Sequence, residues 1–189
     1  MTTTTTTVSD KQTVNGVDVP ALLQTIDAIR ADPTLAQFKF RASDMWLGCG
    51  LNRATVGSFE GANQQHTRPV SFQYHVDEPP VLLGSDKGPN PVEFAIMALL
   101  GCLTNTMVYH AASRGIEIDH VESQVEGDLD LHGFLGLDPK VRSGYQEIRV
   151  KLRVKSDADA ELLKKLAQKS PVYDTISNPV RIVVDVEKM

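Results

Sequence analysis

The stretch Asn90-Pro91-Val92-Glu93-Phe94-Ala95-Ile96-Met97-Ala98-Leu99-Leu100-Gly101-Cys102-Leu103-Thr104-Asn105-Thr106-Met107-Val108-Tyr109-His110-Ala111-Ala112 decides the fold. Its start carries every signal of a helix N-terminus. Asn90 suits the cap, Pro91 fits the first helical position, and Glu93 sits where a capping box wants an acid. Gly115 suits its C-terminal cap. From Ala95 to Leu103 no polar face remains. A helix that is apolar all round needs cover all round. One small domain rarely surrounds a helix, so the pattern predicts a homodimer with this helix at its centre. The run is too interrupted for a membrane span, because Thr104, Asn105 and Thr106 lie inside it.

Upstream, residues 18–31 read as an amphipathic helix with Leu22, Leu23, Ile26 and Ile29 at helical spacing, stopped at Asp32-Pro33. Three strands follow: Phe38 to Ala42, about Leu51 to Phe59, and Val70 to Val76, where apolar and polar residues alternate. They suggest an antiparallel meander. Downstream, a strand over Ile116 to Asp128 precedes a glycine-rich loop at 132–139. Another runs over Ile148 to Lys155. Ser156 is placed to cap a helix carrying Leu162, Leu163 and Leu166. Ser170-Pro171 opens a short helical turn, and Val180 to Val186 closes the chain as a strand. This order is α+β, with antiparallel sheets around a long buried helix and no internal repeat. Residues 1–37 divide off as a tail and an extra helix, and 38–189 as the main domain. The threonine-rich start, Met1 to Asp10, reads as a disordered tail and not as a secretory signal.

The chain has 189 residues, a net charge of -5 and two cysteines. A chain of this length buries roughly 70% of its unfolded surface, so it needs no disulfide or metal staple. Two cysteines cannot supply a zinc finger. The five histidines show no metal spacing, so no metal is expected. The acidic balance argues against nucleic acid as a partner, and the Arg149, Lys151, Arg153, Lys155 row reads as a solvated strand face. Neither a nucleophile elbow nor a full dinucleotide fingerprint is present. With no signal and no span, a cytoplasmic protein with no membrane partner is the expectation.

Cys102 has two readings. Free cysteine is among the most buried residue types, so a packed core thiol is the plain one. The other is a nucleophilic thiolate. Mid-helix, Cys102 gains little from the helix dipole, and apolar surroundings disfavour the thiolate. Reactivity therefore requires a cation brought from elsewhere, an arginine above all. Ala95, Ala98, Leu99, Thr106 and Tyr109 lie on its side of the helix. Leu99, Thr106 and Tyr109 are the candidate pocket lining. Cys49, in Gly48-Cys49-Gly50, is either an incidental turn residue or a thiol that resolves oxidised Cys102.

Several motifs in this order resemble the OsmC/Ohr family of osmotically inducible and organic hydroperoxide resistance proteins. They are Asp77 to Gly84, Gly88 to Glu93, Ala98 to Thr104, Ala111 to Ile116, Val121 to Gly127 and Ser170 to Asp174, covering about 38–187. The resemblance implies an intertwined α+β homodimer and a peroxidase cycle of the oxidative-stress response, without a cofactor. In that cycle a central-helix thiolate is oxidised to sulfenic acid by an organic hydroperoxide. A second cysteine condenses with it, and an external thiol or dithiol reductant restores the pair. Cys102 matches the nucleophile. Arg53, with Arg68 as second choice, matches the arginine that stabilises it. Glu93 is the nearest match to the glutamate that orients the arginine. Three positions depart from the pattern. The resolving cysteine is replaced by Ser170. Val92 stands where the glutamate is normally found, one residue before Glu93, which is a rotation of about 100°. The arginine has two candidates. A peroxidase is therefore the first expectation. A non-enzymatic redox sensor or binder of a small apolar molecule is the second.

Overall fold

The computed structural model describes residues 12–189. The tail expected at Met1 to Asp10 lies outside the described residues. The chain forms two compact units, residues 18–95 and residues 12–17 with 96–189. The boundary expected after residue 37 falls inside the first of these.

In the 18–95 unit, Asp18 caps α1 (Val19–Ala31), its Oδ1 accepting from Ala21 N at 2.9 Å. The helix stops at Asp32 before Pro33, as the sequence indicates. Two of the three expected strands form a meander, β5 (Leu51–Val56) and β8 (Phe72–Val76), but the strand that completes it is β4 (Ala42–Gly48) and not the expected Phe38 to Ala42; the three are antiparallel in the order β4-β5-β8. Its register sets Met45 and His75 on either side of Arg53. Directly opposed residues share a sheet face, so these three side chains lie together. The expected strand from Phe38 is short, β3 (Phe38–Lys39), and belongs to a second, unforeseen sheet with β6 (Phe59–Gly61) and β7 (Gln64–His66). The expected strand to Phe59 breaks after Val56, and Ala62-Asn63 turn the chain between β6 and β7 with φ of 49° and 60°. Phe40 and Phe59 rings stand 5.4 Å apart, and Phe59 stacks on His66 at 4.7 Å.

The turn-rich segment after β8 is held by one carboxylate. Asp77 is 1% exposed and accepts from Glu78 N (2.8 Å), Ser85 N (3.1 Å) and Lys87 N (3.2 Å). Burial pushes this carboxyl up. The three backbone N–H groups outweigh it and hold the acid below its usual range. Gly84 is required here, since a Cβ would stand 1.7 Å from Glu78 O.

The long helix, α2 (Pro91–Ala112), runs as the sequence predicts and passes from one unit into the other. The capping box is closed on both sides: Asn90 N donates to Glu93 Oε2 and Glu93 N to Asn90 Oδ1, each at 2.8 Å. Gly115 follows with φ of +69°.

In the other unit, Leu99, Leu103, Met107 and Ala111 of α2 pack with Leu163, Leu166 and Ala167 of α4 (Ala160–Ala167). The expectation of all-round burial is not met in the single chain. Met97, Ala98, Gly101, Asn105 and Tyr109 remain exposed along the opposite face of the helix. The antiparallel pair β9 (His120–Leu129) and β10 (Tyr145–Lys155) covers the core, with Ile148, Leu152 and Val154 turned inward. Their outer face is the solvated ladder expected. Arg149 meets Glu126 (2.8 Å), Asp128 (2.6 Å) and Glu147 (3.0 Å), and Arg153 meets Glu122 at 3.0 Å. The strand predicted from Ile116 begins only at His120, because 116 and 118 serve another contact. Asn15 donates to Ile116 O at 2.9 Å and accepts from Ile118 N at 2.8 Å. Asn15-Gly16 is the turn between β1 (Thr13–Val14) and β2 (Val17–Asp18), with φ of 55° and 78°. The loop from β9 to β10 opens with a single turn, α3 (Leu131–Phe134).

Asp159, not Ser156, caps α4 through Leu162 N (3.0 Å). Ser156 instead donates to Glu117 O at 2.5 Å. Ser170 caps α5 (Pro171–Ser177) as predicted. The closing strand is not formed: residues after Asn178 carry neither helix nor strand, since no sheet edge pairs with them.

Candidate functional site

Cys102 stands midway along α2, its side chain half-buried. Its neighbours in sequence divide sharply: Leu103 is packed in the core, and Gly101 is exposed with open space at its Cβ position. The thiol therefore sits on the flank between the packed face of the helix and the open one. The lining residues expected around it divide the same way. Leu99 is buried, Thr106 is half-buried and Tyr109 is exposed.

A groove of about 780 Å³ opens in the same unit against the packed face of α2, and Cys102 does not line it. Leu99, Leu103 and Met107 line it from the helix, and Ile148, Leu152 and Val154 line it from β10. Tyr173 and Ile176 of α5 close one side, and Lys164 of α4 and Gln168 at its C-cap supply polar groups. Of the three predicted lining residues only Leu99 reaches it. Sequence reasoning missed the contribution of α4 and α5. The signal was present in the Leu162, Leu163, Leu166 spacing, which shows an apolar face without showing what it encloses.

The remaining candidates belong to the 18–95 unit. Arg53 is exposed on the central strand β5. Its Nη2 lies 3.6 Å from Met45 Sδ, and it has no acidic partner among the described residues. Arg68 is committed to its own surroundings. Its guanidinium stands 5.2 Å from the ring centroids of both Phe59 and Phe72 and donates to Gly57 O. Glu93 uses one carboxylate oxygen to cap α2. Cys49 is exposed in the tight turn between β4 and β5, with φ of +50°, and its thiol donates to Leu83 O at 2.9 Å. Arg53, Glu93 and Cys49 thus share one unit, and Cys102 with Leu99, Thr106 and Tyr109 occupies the other.

Near the end of α2, burial pushes the His110 imidazole down from its ordinary value, and the charges of Arg114 and Lys169 add to the effect. Ser170 is fully buried, its Oγ accepting from Tyr173 N at 3.1 Å. Among the described residues no group of three His, Cys, Asp or Glu side chains could hold a metal ion.

The family model described as OsmC-like protein matches residues 84–185. Solved structures share the fold. One is an OsmC-like protein from Mycoplasma pneumoniae, with 17% identity and a TM-score of 0.56, covering 75% of this chain and 89% of its own. A putative osmotic stress induced and detoxification response protein from Psychrobacter arcticus has 14% identity and a TM-score of 0.52, covering 71% and 85%. An organic hydroperoxide resistance protein OsmC from Legionella pneumophila has 18% identity and a TM-score of 0.50, covering 76% and 92%. No curated protein matches the chain in sequence.

Proposed function

We propose, from the premise that this chain belongs to the OsmC-like protein family, that it is a thiol-dependent peroxidase reducing organic hydroperoxides through Cys102. The observation that carries this reading is the half-buried thiol on α2, inside the matched stretch, beside an exposed glycine that leaves room for a small substrate.

The Cys102 thiolate attacks the outer peroxide oxygen. The S–O bond forms as the O–O bond breaks, giving sulfenic acid and, after protonation, the alcohol. An external thiol then displaces water from the sulfenic acid to form a mixed disulfide. A second thiol restores Cys102 and leaves as the oxidised reductant. An external reductant is needed because the Ser170 hydroxyl cannot form a disulfide, and Cys49 is the alternative resolving thiol. Arg53, with no acidic partner among the described residues, is the cation assigned to the thiolate. Arg68 is less suited, held between two rings and a carbonyl. Glu93 acts first as the cap that fixes the start of α2. A homodimer completes the site by covering Met97, Ala98, Gly101, Asn105 and Tyr109, and the reaction is cytoplasmic, where reducing thiols are abundant.

The test is consumption of an alkyl hydroperoxide with a dithiol reductant. Cys102→Ser should abolish it, and a variant as fast as wild type sinks the proposal. The groove beside Leu99 favours a second reading, binding of a small apolar molecule. Saturable binding together with an inert Cys102 would support that reading instead.

A further inference from the structure

Asn15 and Gly16 form the only Asn-Gly pair of the chain. They turn β1 into β2 with φ of 55° and 78°, the doubly left-handed turn that this pair favours. The Asn15 side chain bridges two backbone groups 101 and 103 residues away. Its Nδ2 donates to Ile116 O at 2.9 Å, and its Oδ1 accepts from Ile118 N at 2.8 Å. Val14, beside it in the hairpin, is 3% exposed. Residues 12–17 thereby join the 96–189 unit, whereas α1, which follows at once, belongs to the 18–95 unit. The hairpin is a clasp on the connection between α2 and β9.

We propose that Asn15 is a deamidation site and that its conversion releases this clasp irreversibly. The Gly16 backbone nitrogen attacks Asn15 Cγ, the new C–N bond forms, and ammonia leaves. The five-membered imide then takes up water at either carbonyl, giving aspartate or isoaspartate. One water is consumed, one ammonia is released, and nothing is oxidised or reduced. Glycine makes the attacking nitrogen reachable, since it has no Cβ beside it. The closed clasp guards the site. Both polar atoms of the Asn15 amide are held on residues 116 and 118 and are not free to turn toward Gly16 N. The reaction therefore proceeds through local opening of the hairpin.

The product cannot restore the contact. An ionised carboxylate accepts hydrogen bonds and donates none. At Ile116 O it sets acceptor against acceptor where Nδ2 stood. Isoaspartate also adds a methylene to the main chain inside a two-residue turn, which then no longer matches the strands it joins. The other asparagines lack the reactive neighbour. Asn52, Asn63, Asn90, Asn105 and Asn178 all precede residues that carry a Cβ.

Peptide mass mapping of the full-length protein, aged in mildly alkaline buffer, tests this without any hydroperoxide, so its outcome is separate from that of the peroxidase reading. Asn15 should convert to the acid before the other five asparagines. It should still convert at least ~10-fold slower than in the same chain unfolded in urea. Val14→Ala keeps the Asn-Gly pair but strips buried apolar surface from the hairpin, so it should speed conversion at least ~5-fold. The converted fraction, separated by its extra negative charge, should exchange the Ile118 amide at least ~10-fold faster than the unconverted one, and Asn15→Asp should show the same rise. An Asn15 that stays an amide while other asparagines convert overturns the site. Conversion as fast in the folded chain as in urea, or indifferent to Val14→Ala, overturns the guarding clasp. Unchanged Ile118 exchange in the converted fraction overturns the release.

Discussion

Replacing Ser170 by alanine removes one hydrogen bond whose worth follows from its setting. The side chain is 0% exposed, and its hydroxyl caps α5 by accepting from Tyr173 N at 3.1 Å. Alanine keeps the Cβ, so little cavity is created. What is lost is the cap and the partner of the Tyr173 N–H. A lost cap costs ~1 kcal/mol, rising to ~2 kcal/mol where the orphaned group is shielded from water. For a chain of this size each kcal/mol moves Tm by roughly 2–4 °C. Thermal unfolding followed by circular dichroism should therefore show a fall of roughly 2–8 °C. Thr175→Ala is the control. Its exposed hydroxyl donates to Pro171 O at 2.8 Å on the same helix, and its loss should stay within about 0.5 kcal/mol. If Ser170→Ala melts no lower than Thr175→Ala, the cap does not contribute as argued. The result bears on function, because the family resemblance sets a resolving cysteine here, and the serine would then be held by α5 and not by redox chemistry.

Met107→Ala should destabilise by about 2–5 kcal/mol in urea unfolding, since Met107 is 0% exposed in the α2–α4 core. Asn15→Ala should cost about 1–3 kcal/mol on the same assay, because both its bonds to residues 116 and 118 disappear at once. Asp77→Asn should lower the urea midpoint at neutral pH. The Asp77 carboxyl is held below its ordinary value of 3.8 in the folded protein, so its contribution is full above that value and is lost as pH falls through the folded one. The gap between wild type and Asp77→Asn should therefore narrow on acidification below about pH 4, and a gap that widens would contradict the sign.

Much of the fold was legible because it is written in local signals. Asn90, Pro91 and Glu93 announced α2, Gly115 its end and Ser170 the cap of α5. The alternation in 70–76 and 148–155 marked β8 and β10. The small elements escaped because their causes are not periodic. The β6–β7 turn rests on two residues of positive φ, neither a glycine. The late start of β9 rests on Asn15, distant in sequence, taking the hydrogen bonds of residues 116 and 118. Ser156 looked like a cap, but Glu117 O drew its hydroxyl away and left the role to Asp159.

The site was legible to a lesser degree. Cys102 on the central helix was visible from pattern and family resemblance together. The groove was not, because it needs β10, α4 and α5 to converge, and periodicity does not report convergence. The apolar circumference of α2 suggested full burial. The structure divides it into a packed face and an exposed one, with Cys102 on the flank between them.

The most direct measurement is mass spectrometry of the protein treated with one equivalent of alkyl hydroperoxide in the presence of a sulfenic-acid trap. The account predicts an adduct at Cys102, matched by the alcohol released. Cys102 unmodified while the hydroperoxide is consumed, or an adduct confined to Cys49, would contradict it.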